Sequence, residues 1–163
     1  MSDPTILEAL RSVKFFHDMS HEKLERVSEI SRLAEFPADS EMFHEYDTAR
    51  DVYVIISGKV SLVIFTPKFG FRQLAELGPG ELIGWSPLVG REHLFDTAHA
   101  LEPTRALAID GEKLLALCKE DATFGCEFMH RAAKVLAQRL SATHSQLRKI
   151  TGYDLPSVPL ESD

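Results

Sequence analysis

The sequence predicts a mainly β domain with helices on both sides. Runs of β-branched and aromatic residues recur through the middle of the chain, separated by short Gly- and Pro-containing turns. Apolar residues at helical spacing lie before this region and again after it. Short strands at regular spacing point to a sandwich or barrel. The expected division is 1–34 as an N-terminal helical segment and 35–110 as the β core. Residues 111–153 form C-terminal helices with a hinge and dimerisation helix, and 154–163 a flexible tail.

The first helical segment, read from Ile6 to about Ala34, places Leu7, Leu10 and Val13, then Leu24, Val27 and Ile30, on one face. Ser20 before His21-Glu22-Lys23 is an N-cap, its side chain oriented to accept from a first-turn amide. Val52–Ile56 and Val60–Phe65 read as strands joined by the tight hairpin Ser57-Gly58-Lys59. Pro67-Lys68-Phe69-Gly70 turns the chain into Arg72–Leu77, and Thr104–Ile109 is the closing strand. A helix begins near Gly111. Asp121 or Thr123 caps a second, long one that carries Met129, Ala133, Leu136, Leu140, Thr143, Leu147 and Ile150. Those positions alternate steps of four and three, the spacing of a seam between two helices. The tail after Gly152 carries two prolines and acids, and frays.

Composition excludes several classes. With 163 residues, the chain is long enough for one domain with a real core. No apolar run approaches the ~20 residues of a membrane span, and the N-terminus lacks a signal-peptide core. A cytoplasmic location is expected, with Cys118 and Cys126 as free thiols. A net charge of −7 argues against general nucleic-acid affinity, which needs basic clusters to neutralise phosphates. No metal is expected: His44, His93 and His99 are scattered, without the closely spaced pair of a metal-binding barrel. No nucleophile–base arrangement and no phosphate-loop fingerprint stands out, so the chain is not expected to be an enzyme.

The stretch from Gly80 to Ala100, GELIGWSPLVGREHLFDTAHA, raises the question of binding. Ser86-Pro87 starts a helix, with Ser86 as N-cap and Pro87 at the first helical position. Free amides of that turn favour an anion, and Gly84 lets a ligand approach its backbone. The same residues also serve simply to begin a helix after a strand.

Two motifs place the chain beside a known family. Asp51-Val52-Tyr53-Val54-Ile55-Ile56-Ser57-Gly58-Lys59-Val60 and Leu77-Gly78-Pro79-Gly80-Glu81-Leu82-Ile83-Gly84 occur with Phe15-Phe16, Leu24, Phe36-Pro37 and Thr97-Ala98. The sequence resembles the cyclic nucleotide-binding domain family over roughly residues 7–150. The resemblance implies a jelly-roll β-barrel, cupin-like, with N-terminal helices and a long C-terminal helix. It implies a ligand segment containing Gly84, Trp85, Ser86, Pro87, Leu88, Leu94, Phe95 and Thr97. It also implies a homodimer through the C-terminal helix.

The chain departs from the family pattern where the ligand would be recognised. The Glu that takes the ribose hydroxyl is replaced by Trp85, and the Arg that pairs with the cyclic phosphate by Leu94, or Phe95 on a shifted count. An indole only donates and cannot accept from hydroxyls. Losing a charge pair worth ~4 kcal/mol lowers affinity about a thousandfold. Tight cAMP or cGMP binding is therefore not expected. Arg72, Arg91 and His93 are the candidate substitute cations. Trp85 and Phe95 either grip an anionic or aromatic effector or plug the barrel. The family's usual turn glycines are Asp39 and Tyr46 here, so the local turn is expected to differ. Arg131, Lys134, Arg139, Arg148 and Lys149 give the long helix a basic outer face, solvated or docked on an acidic protein partner. DNA-binding relatives follow this helix with a helix-turn-helix domain. Only the short tail follows it here, so no nucleic-acid partner is expected.

Overall fold

Helix starts are fixed by side-chain oxygens that accept from otherwise unpaired first-turn amides. The computed structural model describes residues 4–150, so the end of the last helical segment at 151–153 and the tail at 154–163 lie outside the described residues. Helix α1 spans Pro4–Ser12, and a single 3-10 turn follows at Lys14–Phe16. Helix α2, His21–Glu29, is capped by Ser20, whose side chain accepts from the Lys23 amide. Helix α3, Gly111–Glu120, is capped in the same way by Asp110. Helix α4 runs Ala122–Ile150. The Asp121 carboxylate accepts from the Thr123 and Phe124 amides, at 3.1 and 3.0 Å, so Asp121 rather than Thr123 caps it.

Among the described residues, eight strands form two four-stranded antiparallel sheets. The first is ordered β1 (Ser31–Phe36), β8 (Thr104–Asp110), β3 (Asp51–Ser57) and β6 (Leu82–Ile83). The second is ordered β2 (Glu41–Phe43), β7 (Thr97–Ala100), β4 (Val60–Thr66) and β5 (Gly70–Leu77). This is the expected mainly β fold with flanking helices, but the sheets face each other without closing into a barrel. The helical reading up to Ala34 overshoots. Ser31 to Phe36 pair with Ile109 to Thr104 in β8, a partner far away in the sequence. Local periodicity carries no information about such a partner.

Alternation along the strands divides the interior in two. Val52 and Val54 on β3, with Leu107 and Ile109 on β8, face the helices. Ile55 and Ala106 face the second sheet, together with Phe43, Leu62 and Leu94. Four phenylalanines anchor the root of α4. Phe15 meets Phe16 at 5.0 Å and Phe128 at 5.3 Å, and Phe124 stacks on Phe128 at 5.8 Å. Gly125 lets α4 cross α3 closely, since a Cβ there would lie 2.3 Å from the Cys118 carbonyl oxygen. Cys118 and Cys126 are both free thiols, and burial pushes the Cys118 thiol up to about 11.

Polar contacts continue the anchoring. Glu127 pairs with Lys23 and with Arg131, and Arg131 Nη1 donates to the carbonyls of Phe15 and His17, both at 2.7 Å. Further along α4, Gln146 Nε2 donates to the Leu74 carbonyl at 2.7 Å. The β4–β5 register passes from Leu62↔Ala75 to Val63↔Gln73, so Leu74 is a bulge residue. Its carbonyl is turned out of the ladder toward α4.

Asp39 and Tyr46, in place of the family glycines, hold left-handed backbone with φ of 62° and 70°. The turns thus keep a glycine-type conformation despite the side chains. Tyr46 is 73% exposed, so its ring offsets little of that strain. Tyr46→Gly is expected to raise stability by about 0.5–1 kcal/mol, seen as a higher urea midpoint at unchanged slope. An equal or lower midpoint would mean that the ring's contacts outweigh the strain.

Candidate ligand cavity under the C-terminal helix

The segment expected to bind an anion folds differently from its sequence reading. Ser86–Val89 is a four-residue 3-10 turn whose N-cap position is Trp85, with no side-chain cap. Ser86 is the first residue of the turn, not its cap. Its carbonyl accepts from the Gly90 and Arg91 amides, and Gly90 ends the turn at φ 69°. So short a turn sums few peptide dipoles and provides no strong anion site. Pro87 instead packs on Gly111 at the start of α3, where an added Cβ would lie 2.6 Å from the proline. Leu88 belongs to the main core.

On its Cβ side, Gly84 packs directly on protein. A Cβ on Gly84, whose φ is 65°, would lie 3.2 Å from the Asp51 carbonyl and 3.3–3.4 Å from the rings of Tyr53 and Phe43. Those rings stack at 5.7 Å. Leu94 is buried in the same cluster, and Thr97 is buried with Oγ1 accepting from the Glu45 amide at 2.9 Å. The close approach permitted by Gly84 is thus used by the fold itself.

Trp85 and Phe95 stack on each other at 4.5 Å, and the Arg91 guanidinium lies 3.9 Å over the other face of Phe95. Neither ring belongs to the buried cluster that contains Phe43 and packs against Tyr53. Arg91 lines a separate polar cleft with Arg50 and Asp51. Arg72 is exposed on β5, 5.6 Å from the Phe69 ring. His93 is exposed in a loop, bridged through its backbone to Thr48. None of these three cations reaches the cavity described next.

A cavity of about 360 Å³ lies between the second sheet and α4. Its floor is Leu62, Leu74 and Ala75, and Trp85 forms one wall. From α4 come Leu136, Leu140 and Thr143, three members of the predicted helix seam. Two charged residues line it: Asp96, just before β7, and Arg139 on α4. Arg139 is 18% exposed. Its Nη2 donates to the Leu82 carbonyl and lies 3.9 Å from Glu81, while its buried Nε and Nη1 have no hydrogen-bond partner. Burial pushes its guanidinium below the ordinary value, against the pull of Glu81 and Asp96. Burial likewise pushes the Asp96 carboxyl up to about 6, with Arg139 opposing and Glu45 adding to the rise.

The remaining seam positions divide. Met129 is partly buried against the core, whereas Ala133 and Ile150 are exposed and Leu147 is 39% exposed. The basic outer face is smaller than its sequence suggests, because Arg131 and Arg139 turn inward.

The family model described as "Cyclic nucleotide-binding domain" matches residues 33–121. The chain belongs to the cyclic nucleotide-binding domain family. It is 30% identical over 140 residues to the cyclic AMP receptor protein of Thermus thermophilus, covering 85% of this chain and 62% of that relative. The solved catabolite activator protein of Thermus thermophilus superposes with a TM-score of 0.68 at 29% identity, over 83% of this chain and 62% of that one. A cyclic nucleotide-binding domain from Methylobacillus flagellatus shares the fold, with a TM-score of 0.78 at 22% identity, over 92% and 85%. The chain therefore spans less than two thirds of the full-length relatives.

Within this cyclic nucleotide-binding domain, the charged residues at the cavity are ones that sequence reasoning assigned elsewhere or passed over. The sequence places Arg139 on a basic outer face, solvated or docked on an acidic partner, and does not single out Asp96. A signal for Arg139 existed: Leu136, Arg139, Leu140 and Thr143 follow the i, i+3, i+4, i+7 pattern, so one cation sits in an apolar stripe. Among the described residues no group of three or more His, Cys, Asp or Glu could hold a metal ion, and no helix is long and apolar enough to cross a membrane.

Asp96 makes stability depend on pH. Its folded value of about 6 lies above the ordinary 3.8, so the native state holds more protons between those values. Its contribution to stability is greatest below that window and is lost as pH rises through it. Asp96→Asn is expected to match the wild type near pH 4 and to be more stable by about 1–3 kcal/mol at pH 7.5. Urea denaturation at both pH values checks this, and equal stability at pH 7.5 would contradict it.

Proposed function

We propose that the chain is a non-enzymatic regulatory module that senses a small molecule in the cavity beneath α4, and that it does not bind cAMP or cGMP tightly. One observation carries the reading: the cavity is built jointly by the second sheet and α4. A ligand touching both would favour one placement of the helix, provided that its affinity differs between placements. The replacement of the family's Glu by Trp85 and of its Arg by Leu94, or Phe95 on a shifted count, supports the loss of cyclic-nucleotide affinity. Calorimetric titration of the ligand-stripped protein with cAMP and then cGMP is expected to give no binding tighter than about 100 μM. A Kd at or below ~1 μM, which needs about −8 kcal/mol, would overturn this part of the reading.

A second reading is a degenerate domain acting as a dimerisation scaffold, favoured by the apolar side chains that α4 leaves at the surface. Leu140 is 57% and Ile150 78% exposed on the predicted seam, suited to a second copy of the helix. Pairing there is compatible with ligand sensing, because Leu140 also borders the cavity. Light scattering is expected to give a dimer for the wild type and a monomer for Leu140→Asp. A monomeric wild type, or an unchanged mass for the variant, would exclude pairing through this seam.

A further inference from the structure

We propose that the ligand of this cavity is a small organic acid, one negative charge on an apolar body, and that its charge is held by Arg139 on α4. The proposal rests on the sensing reading above and specifies its ligand.

The argument begins with Arg139. A buried guanidinium needs its N–H groups paired, and here Nε and Nη1 have no partner among the described residues. The Leu82 carbonyl engages only Nη2, and the Glu81 carboxylate stands off at 3.9 Å. A carboxylate placed in the cavity supplies both charge and acceptors, the pairing that guanidinium geometry favours. The other walls define the rest of the ligand. Leu62, Leu74, Ala75 and Leu136 offer no side-chain hydrogen bonds, and Trp85 offers an aromatic surface. These walls fit an aromatic or branched aliphatic body, with Asp96 and the Thr143 hydroxyl as the polar groups beside Arg139. The volume of about 360 Å³ lies at the small end of ligand sites.

Charge count sets the valence. Among the described residues the cavity lining holds one cation, Arg139, together with Asp96; Glu81 lies beside the guanidinium and Glu45 acts on Asp96 from the loop before β3. A dianion would be opposed by these carboxylates, whereas a monoanion is matched by Arg139. Protonated Asp96 can donate to the bound acid and ionised Asp96 repels it, so binding weakens as pH rises through the Asp96 titration. Arg139 sits on the helix and the apolar walls sit mainly on the sheet. The bound acid therefore ties the two together, and its charge becomes the signal that α4 reads.

The test is calorimetry on the full, ligand-stripped chain with benzoate, 2-naphthoate, indole-3-acetate and octanoate, each beside its primary amide, and with cAMP. At least one acid is expected to bind at pH 5.5 with Kd below about 1 mM. Its amide is expected to bind at least tenfold more weakly. Arg139→Met is expected to lose at least tenfold for the acid and little for the amide, and Arg139→Lys to recover part of the loss. Affinity for the acid is expected to fall severalfold from pH 5.5 to 7.5, and Asp96→Asn to flatten that profile. Acids and amides binding alike, with no effect of Arg139→Met, would overturn the anion anchor and leave the sensing reading standing. Binding by neither acids, amides nor cAMP would overturn both. Tighter binding of cAMP than of any acid would overturn the organic-acid assignment in favour of a cyclic phosphodiester. If Arg139→Met does not fold, the acid–amide ratio and the wild-type pH profile decide alone.

Discussion

The placement of α4 is the constraint on which the rest of this structure depends. Phe15, Phe16, Phe124 and Phe128 lock its first turns against the N-terminal helices. Gly125 holds it close to α3. With its root fixed, a straight helix has one direction available. That direction carries it over β5 and β6, where Gln146 meets the bulged carbonyl of Leu74 and Arg139 meets that of Leu82. The cavity is the space left between this helix and the sheet. If the root moved, the cavity and its charges would change together.

Burying a guanidinium is costly unless its charge and N–H groups are met. In this domain they are met only in part. Glu81 and Asp96 are near enough to act on Arg139, but neither lies within hydrogen-bonding distance of it. The same burial raises the Asp96 carboxyl to about 6. The result is a cation and a carboxyl lining one largely apolar space, each displaced from its ordinary titration. Such a site gains most from a partner that completes its hydrogen bonds, which is the physical basis for proposing a small acid as its ligand.

The domain has its family's frame. The paired sheets, the flanking helices and the long last helix are those of a cyclic nucleotide-binding domain. Behind Gly84, however, the stacked rings of Phe43 and Tyr53 and the buried Leu94 occupy the interior. Asp39 and Tyr46 hold backbone that glycine adopts more easily, so the turn geometry is imposed on residues that do not favour it.

The sequence by itself determined the order of elements, the strand hairpins and the helix caps. These depend on neighbours in the chain: Ser20 caps α2, and the strands Val52–Ile56, Val60–Phe65, Arg72–Leu77 and Thr104–Ile109 lie within the observed ones. The two family motifs gave the fold for the same reason, because hairpin and turn chemistry is local. Tertiary structure alone decided that Ser31 to Ala34 form a strand, since their partner is β8. It also decided which cation faces the cavity. Arg72, Arg91, His93 and Arg139 are all plausible by type. The direction of a strand face, a stacking ring under Arg91 and the fixed angle of α4 select Arg139. Those are distances between segments far apart in the chain, and local sequence pattern does not encode them.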